Sequence, residues 1–111
     1  MSKDVGIEVV NAAERERYEI TVDGELAGFA EYRGHGDTRA MTHTEILPAF
    51  EGQGLGSRLI AAALEDVRAQ GVHVLPICPF VKAYLADHPE QLDLVEPRLR
   101  IAFGLPEPAP G

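Results

Sequence analysis

The stretch Ile46-Leu47-Pro48-Ala49-Phe50-Glu51-Gly52-Gln53-Gly54-Leu55-Gly56-Ser57-Arg58-Leu59 decides the fold, because the periodicity of the chain changes inside it. Ahead of it, Arg39 to Leu47 alternates, with Met41, His43, Glu45 and Leu47 on one strand face and Thr42, Thr44 and Ile46 on the other. Pro48 ends that strand by removing a donor. Behind it, Leu55, Leu59, Ile60, Ala62, Ala63, Leu64 and Val67 recur at helical spacing as far as Gln70, and Gly71 is well placed to stop the helix. Alternating glycines therefore join a strand to a helix.

Working outward, Val72 to Ile77 is a short β-branched run that reads as a buried strand parallel to the one before the helix. Pro79 suits the first position of a second helix, running to about Asp87 with Phe80, Val81, Tyr84 and Leu85 on its apolar face, until His88-Pro89 breaks it. On the N-terminal side, Val5 to Val10 reads as a first strand and Asn11 to Glu16 as a polar turn. Arg17 to Val22 places Tyr18, Ile20 and Val22 on one face, Asp23-Gly24 signals a two-residue hairpin, and Leu26 to Arg33 is its partner. The turn Gly34-His35-Gly36-Asp37 then leads back to Arg39. Leu99, Ile101 and Phe103, alternating with Arg98, Arg100 and Ala102, predict a last edge strand, and the proline-rich Gly104 to Gly111 predicts a disordered tail. The expected architecture is α+β: a mixed sheet whose antiparallel N-terminal meander is followed by a strand-helix-strand-helix unit. Residues 1–103 form one domain and 104–111 the tail.

Bulk composition agrees with a single core, since 111 residues with 45% apolar and 25% charged content suit one globular unit. The apolar runs are too short for a membrane span, and Met1-Ser2-Lys3-Asp4 does not open a secretory leader. With one cysteine, Cys78, no internal disulfide is possible, so a cytoplasmic protein is expected, monomeric or homodimeric. A net charge of -8 disfavours nucleic acid and suits cationic small molecules or lysine side chains, besides keeping the chain soluble. No His, Cys and carboxylate cluster has metal-ligand spacing, so no metal is expected; His35 and His73 read as structural or solvated.

The glycine turn has the chemistry of an anion site. N–H groups at a helix start lack internal partners, the macrodipole adds partial positive charge, and glycine lets a bulky pyrophosphate approach the main chain. Two nucleotide motifs are excluded. A triphosphate loop requires lysine after its last glycine, where Gly56 is followed by Ser57-Arg58. A dinucleotide fingerprint requires two residues between its second and third glycines, where one is present. A glycine turn without ligand is the remaining alternative.

Ile46 to Leu59 resembles the acetyl-CoA-binding motif of the GNAT superfamily of N-acetyltransferases, whose pattern is Arg or Gln, two residues, Gly, one residue, Gly or Ala. Gly54 and Gly56 fill the two small positions, whereas Glu51 departs from the first and shifts the weight to the backbone of Gln53 to Arg58. Thr42-His43-Thr44-Glu45 and Cys78-Pro79-Phe80, with Tyr84 and His88-Pro89, further resemble a subgroup of very small GNAT-like proteins. The resemblance covers roughly Glu19 to Val95. It implies acetyl-CoA as co-substrate, held by Ile46, Leu47, Gln53, Gly54, Leu55, Gly56, Ser57, Arg58, Cys78, Phe80 and Tyr84, and an amine acceptor. Asn11 to Arg15 leaves no room for the two helices that usually follow the first strand, which often shape the acceptor pocket. The resemblance also implies that the strand ending at Leu47 splays from Val72 to Ile77. Pro76 offers a local reason, having no N–H to give a ladder.

Acetyl transfer needs a neutral amine. At a lysine-like pKa of about 10.4, neutralising it at pH 7 costs roughly 4.6 kcal/mol. His43 and Glu45, two apart on one strand face, are the candidate bases, or else a packed and a solvated sheet residue. Tyr84 is either a donor to the leaving thiolate, as the resemblance implies, or a core tyrosine. Cys78, at a helix start where the dipole lowers a thiol pKa, either carries a covalent acetyl group or only contacts the cofactor. Direct attack by the amine dominates the superfamily. A CoA or acyl-CoA-binding module or regulator without turnover is the alternative function.

Overall fold

The hairpin at Asp23-Gly24 forms because both residues take positive φ, 51° and 84°, as a primed turn between twisted strands requires. The computed structural model describes residues 6–108. Val5, expected in the first strand, and Ala109 to Gly111 of the expected tail lie outside the described residues. Strands β1 (Ile7–Ala12), β2 (Arg17–Val22), β3 (Glu25–His35) and β4 (Thr38–Ile46) form an antiparallel meander, and β5 (His73–Pro76) lies parallel to β4, giving the order β1-β2-β3-β4-β5. The expected α+β mixed sheet is the observed one. Asn11 and Ala12 extend β1 by pairing with Tyr18 and Arg17, and a 3-10 turn at Ala13–Arg15 makes the link to β2. β3 continues through Gly34 and His35, which shortens the expected four-residue turn to Gly36-Asp37.

Two pairings depart from a regular ladder: Ile20 pairs with Gly28 and Thr21 with Leu26, which leaves Ala27 as an extra residue in β3, and β4 carries a second irregularity beside the site. Glu31 pairs with His43 and Tyr32 with Met41, so Thr42 is an extra residue in β4 and every side chain beyond it changes face. Met41 is fully buried, while His43 and Glu45 are exposed. The face shared by Met41, His43 and Glu45 in the alternating reading is therefore broken at a bulge. Leu47 lies past the end of the strand, with its N–H still donating to the Ala27 carbonyl at 2.8 Å.

Helix α1 (Leu55–Gln70) has the expected bounds and lies across the sheet, burying Leu55, Leu59, Ile60, Ala63, Leu64 and Val67, with Ala62 half-buried. Gly71 caps it in the left-handed region at φ 71°, its N–H reaching the last carbonyls. A polar tie reinforces the packing: the Tyr18 hydroxyl donates to Asp66 at 2.7 Å, and Arg39 reaches the same carboxylate at 3.2 Å. Burial, then the Asp66 carboxylate, pushes the Tyr18 phenol far above its ordinary value, so it remains a donor at any physiological pH.

Helix α2 (Pro79–Asp87) buries Val81 and Leu85, and a 3-10 segment, Pro89–Leu94, adds Leu92 and Leu94 to the same core. The expected edge strand at Leu99 to Phe103 is instead a helix, α3 (Pro97–Ala102). Leu99 and Phe103, four apart, are half-buried, while Ile101 is 80% exposed, which an alternating strand would not produce. The Arg100 guanidinium fixes α3 by donating to the Leu92 and Val95 carbonyls at 3.1 and 2.6 Å. The chain then turns at Gly104, and Leu105 packs against the core.

Candidate functional site

Two halves of β4 differ in what borders them. Thr38 to Met41 pairs with His73 to Pro76, and the last link is the Cys78 N–H donating to the Met41 carbonyl at 2.8 Å. Pro76, which has no N–H, stands where pairing ends. From Thr42 to Ile46, β4 has β3 on one side and, among the described residues, no strand on the other. The bond from Leu47 to Ala27 sets the phase of the ladder. Glu45 and His43 therefore exchange hydrogen bonds with β3, while the N–H and C=O groups of Thr44 and Ile46 point to the open edge.

That edge runs into the glycine turn. After a 3-10 turn at Pro48–Phe50, Gly52 and Gly54 take φ of 80° and 72°, which lets the chain reverse into α1. The first helical bond is from the Arg58 N–H to the Gly54 carbonyl at 3.3 Å, and α1 has no side-chain cap. The N–H groups of Leu55, Gly56 and Ser57 thus have no acceptor within the helix. A Cβ on Gly54 would meet no atom within 4 Å, so this glycine faces open space. Gly56 is small for another reason, since a Cβ there would lie 2.8 Å from the Phe80 ring. Between these parts is a cavity of about 390 Å³, walled by Ile46 and Phe50, by Glu51, Gly52 and Gly54 of the turn, by Leu55 to Ser57, and by Phe80. The walls combine apolar rings with unsatisfied N–H donors, as a phosphate-bearing chain with an apolar arm would require. The backbone cradle fits CoA on that ground. Glu51 lines the cavity, where its carboxylate opposes an anion. Leu47, Gln53 and Arg58 are not among its walls, and Arg58 sits on the exposed side of α1.

A second cavity of about 160 Å³ adjoins the first through Ser57 and Phe80, and is completed by Ala83, Tyr84, Asp87 and His88. Tyr84 and His88 stack with ring centroids 3.8 Å apart, and the His88 Nδ1–H donates to the Tyr84 carbonyl at 2.7 Å. Burial, and then the charge of Glu90, raises the Tyr84 phenol above its ordinary value and keeps it protonated. Tyr84 is six residues beyond Cys78, about 9 Å along the helix axis. Asp87 and His88 were not singled out in the sequence as lining residues; the spacing 80, 83, 84, 87 was the signal, but it needed the neighbouring Ser57 to have meaning.

At the point of the splay, buried Cys78 has its Sγ 3.4 Å from the Thr44 hydroxyl. Thr44 carries no sequence signal of its own, because only the approach of α2 to β4 brings the two together. On the opposite face of the sheet, His43 Nε2 and Glu45 Oε1 are 3.2 Å apart, with side chains 52% and 49% exposed. The Phe29 ring lies beside His43 at 6.2 Å, and Arg17 covers Phe29. Strand alternation thus puts the base candidates on the opposite face of the sheet from Thr44 and Cys78, with the open edge of β4 between them. Among the described residues, no group of three His, Cys, Asp or Glu side chains is arranged to hold a metal ion, and no helix is long and apolar enough to cross a membrane.

A search of the curated proteins finds no match. Among solved structures, a GCN5-like protein from Staphylococcus aureus superimposes with a TM-score of 0.63 at 20% identity, covering 82% of this chain and 89% of that one, a likeness of fold. Ard1 from Thermoplasma volcanium is 24% identical with a TM-score of 0.48, over 53% of this chain and 41% of that one. N-acetylglutamate synthase from Neisseria gonorrhoeae, solved with coenzyme A and L-arginine, is 24% identical with a TM-score of 0.47, over 55% of this chain and 16% of that one. This chain thus spans less than half the length of the last two. The family model described as GCN5-related N-acetyl-transferase matches residues 17–94, from the start of β2 to the 3-10 segment after α2. With the splayed β4 and β5 and the glycine turn inside that match, the chain belongs to the GCN5-related N-acetyltransferase family.

Proposed function

We propose that this protein transfers an acetyl group from acetyl-CoA to a primary amine, on a small molecule or a lysine side chain, by direct attack. The observation that carries the reading is the open edge of β4 at Thr44 and Ile46 leading straight into the cavity at the start of α1. In this reading the N–H groups of Leu55, Gly56 and Ser57 hold the pyrophosphate, and the main chain of Thr44 and Ile46 takes the amides of the pantetheine arm. The acetyl group then lies near Thr44 and Cys78. The amine nitrogen, entering from the opposite sheet face past the open edge of β4, attacks the carbonyl carbon; a C–N bond forms as the C–S bond breaks, CoA leaves as the thiolate and takes a proton from solvent, and Glu45, oriented by His43, accepts the amine proton. Acceptor access is from the sheet face that carries the half-exposed His43 and Glu45. Cys78 contacts the acyl end without taking the acetyl group, and Tyr84 belongs to the nucleotide end of the cofactor.

The half-exposed setting of His43 and Glu45 favours a second reading, a CoA-binding module without turnover, because a solvated pair does little to lower the cost of neutralising the amine. Incubation with acetyl-CoA and a panel of polyamines and lysine peptides, followed by assay of free thiol, separates the two. Acceptor-dependent thiol release supports the transferase. Ligand-dependent thermal stabilisation without thiol release would replace it with the binding module, and absence of any acetyl-CoA binding at millimolar concentration would overturn both.

A further inference from the structure

We propose that the acceptor is a zwitterion, an amine that also carries a carboxylate, and that Arg17 binds this carboxylate. The inference rests on the reading of the sheet face with His43 and Glu45 as the acceptor side, and names what that face selects. In the register, Arg17 is opposite Glu31 and Glu31 opposite His43, while Glu19 is opposite Phe29 and Phe29 opposite Glu45. Directly opposed residues share a sheet face, so these side chains form two adjacent rows across β2, β3 and β4. Phe29 joins the rows, with the Arg17 guanidinium 4.5 Å from its ring centroid and the His43 ring at 6.2 Å.

Arg17 is held at two points. Its Nε donates to Glu19 at 2.7 Å and its guanidinium covers Phe29, so the side chain is fixed while still 23% exposed. Among the described residues no hydrogen bond engages its Nη groups, which leaves a planar fork of donors of the shape that a carboxylate accepts. Glu19 offsets this cation only in part, because Arg15 donates to the same carboxylate at 3.0 Å, and Glu14 approaches Arg15 alone, at 3.9 Å. Toward β4 the charge reverses. Glu31, between Arg17 and His43, and Glu45 supply carboxylates for an ammonium group. β2 and β4 lie two strand spacings apart, roughly 10 Å, and long side chains shorten that span from both ends until a small amino acid can bridge it. Positive charge on β2 and negative charge on β3 and β4 is the pattern that a zwitterion complements. A polyamine would meet Arg17 as a like charge, with that guanidinium already on the Phe29 ring.

The test is the initial rate of thiol release from acetyl-CoA with glycine, β-alanine and γ-aminobutyrate, which lengthen the span from amine to carboxylate, with butylamine, in which a methyl group replaces the carboxylate, and with spermidine. Wild-type kcat/KM is expected to be highest for one of the three amino acids. Arg17→Gln should raise KM for that amino acid about thirtyfold with little change in kcat, and should lower kcat/KM for butylamine by less than about threefold. Arg17→Lys, which keeps the charge but not the fork, should fall between wild type and Arg17→Gln. CoA affinity in each variant reports a retained fold, and Arg17→Lys carries the test if Arg17→Gln fails that control. Wild-type preference for butylamine or spermidine, or equal losses on amino acid and butylamine in the variant, would overturn the carboxylate anchor while leaving the transferase. Absence of thiol release with every amine would overturn the transferase reading, and the anchor with it.

Discussion

The two halves of β4 are one continuous strand with opposite fates. Thr38 to Met41 is closed by β5 and ends in a fully buried methionine; Thr42 to Ile46 has its outer edge open and borders a cavity. Two local features make the difference. Pro76 cannot extend the ladder, and the bulge at Thr42 turns Met41 into the core while leaving His43 and Glu45 in solvent. A strand can thus be closed along one stretch and open along the next within nine residues, provided that its partner stops first.

The largest expected effect is in the closed half. Met41→Ala should destabilise the fold by about 3 kcal/mol in denaturant unfolding, as a large-to-small change in a packed core. Thr44→Val, in the open half, should cost far less, and equal losses at the two positions would erase the distinction between them. At the cavity, Gly54→Val places a branched side chain in a left-handed residue that faces open space. It should weaken CoA binding at least about tenfold while circular dichroism shows the fold retained. Unchanged affinity would put the phosphates elsewhere. Glu51→Gln removes the carboxylate from the same wall and should tighten CoA binding by about threefold, and less so at high salt.

The smallest effect lies away from both halves. Arg68 forms a paired hydrogen bond to Asp93 at 2.8 and 2.9 Å, tying α1 to the segment after α2 and holding the Asp93 carboxyl below its ordinary value. Its stabilisation is therefore present at neutral pH, above the unfolded carboxylate range, and is lost as acid protonates Asp93. With both side chains about half exposed, Asp93→Asn should cost under about 1 kcal/mol at pH 7, and the difference from wild type should vanish in acid. A difference that grows on acidification would contradict that sign.

How much was legible in the sequence follows from which signals are local. α1 was readable to the residue because its stripe, its glycine start and its glycine stop all lie within the segment. β2 was readable from alternation and the Asp23-Gly24 turn. The bulge at Thr42 was not, since a strand that slips by one residue looks the same in sequence as one that does not; only pairing with β3 exposes it. Leu99, Ile101 and Phe103 misled because a short helix contains too few turns to show its period. Pro97 at the first helical position was the overlooked sign. In the site, the backbone cradle was visible because glycines and a helix start are sequence features. The proximity of Thr44 to Cys78, and the second cavity, arise from the packing of α2 against β4 and α1, which no spacing along the chain encodes.

The most direct measurement is an amide-resolved NMR titration of the isotopically labelled protein with CoA. The amides of Thr44, Ile46, Leu55, Gly56 and Ser57 should shift together and saturably, while those of Thr38 to Met41, already bonded within the sheet, move little. Saturable binding that leaves Thr44, Ile46 and the first turn of α1 unmoved, or that perturbs the closed half instead, would contradict the assignment of the open half of β4 as the cofactor edge.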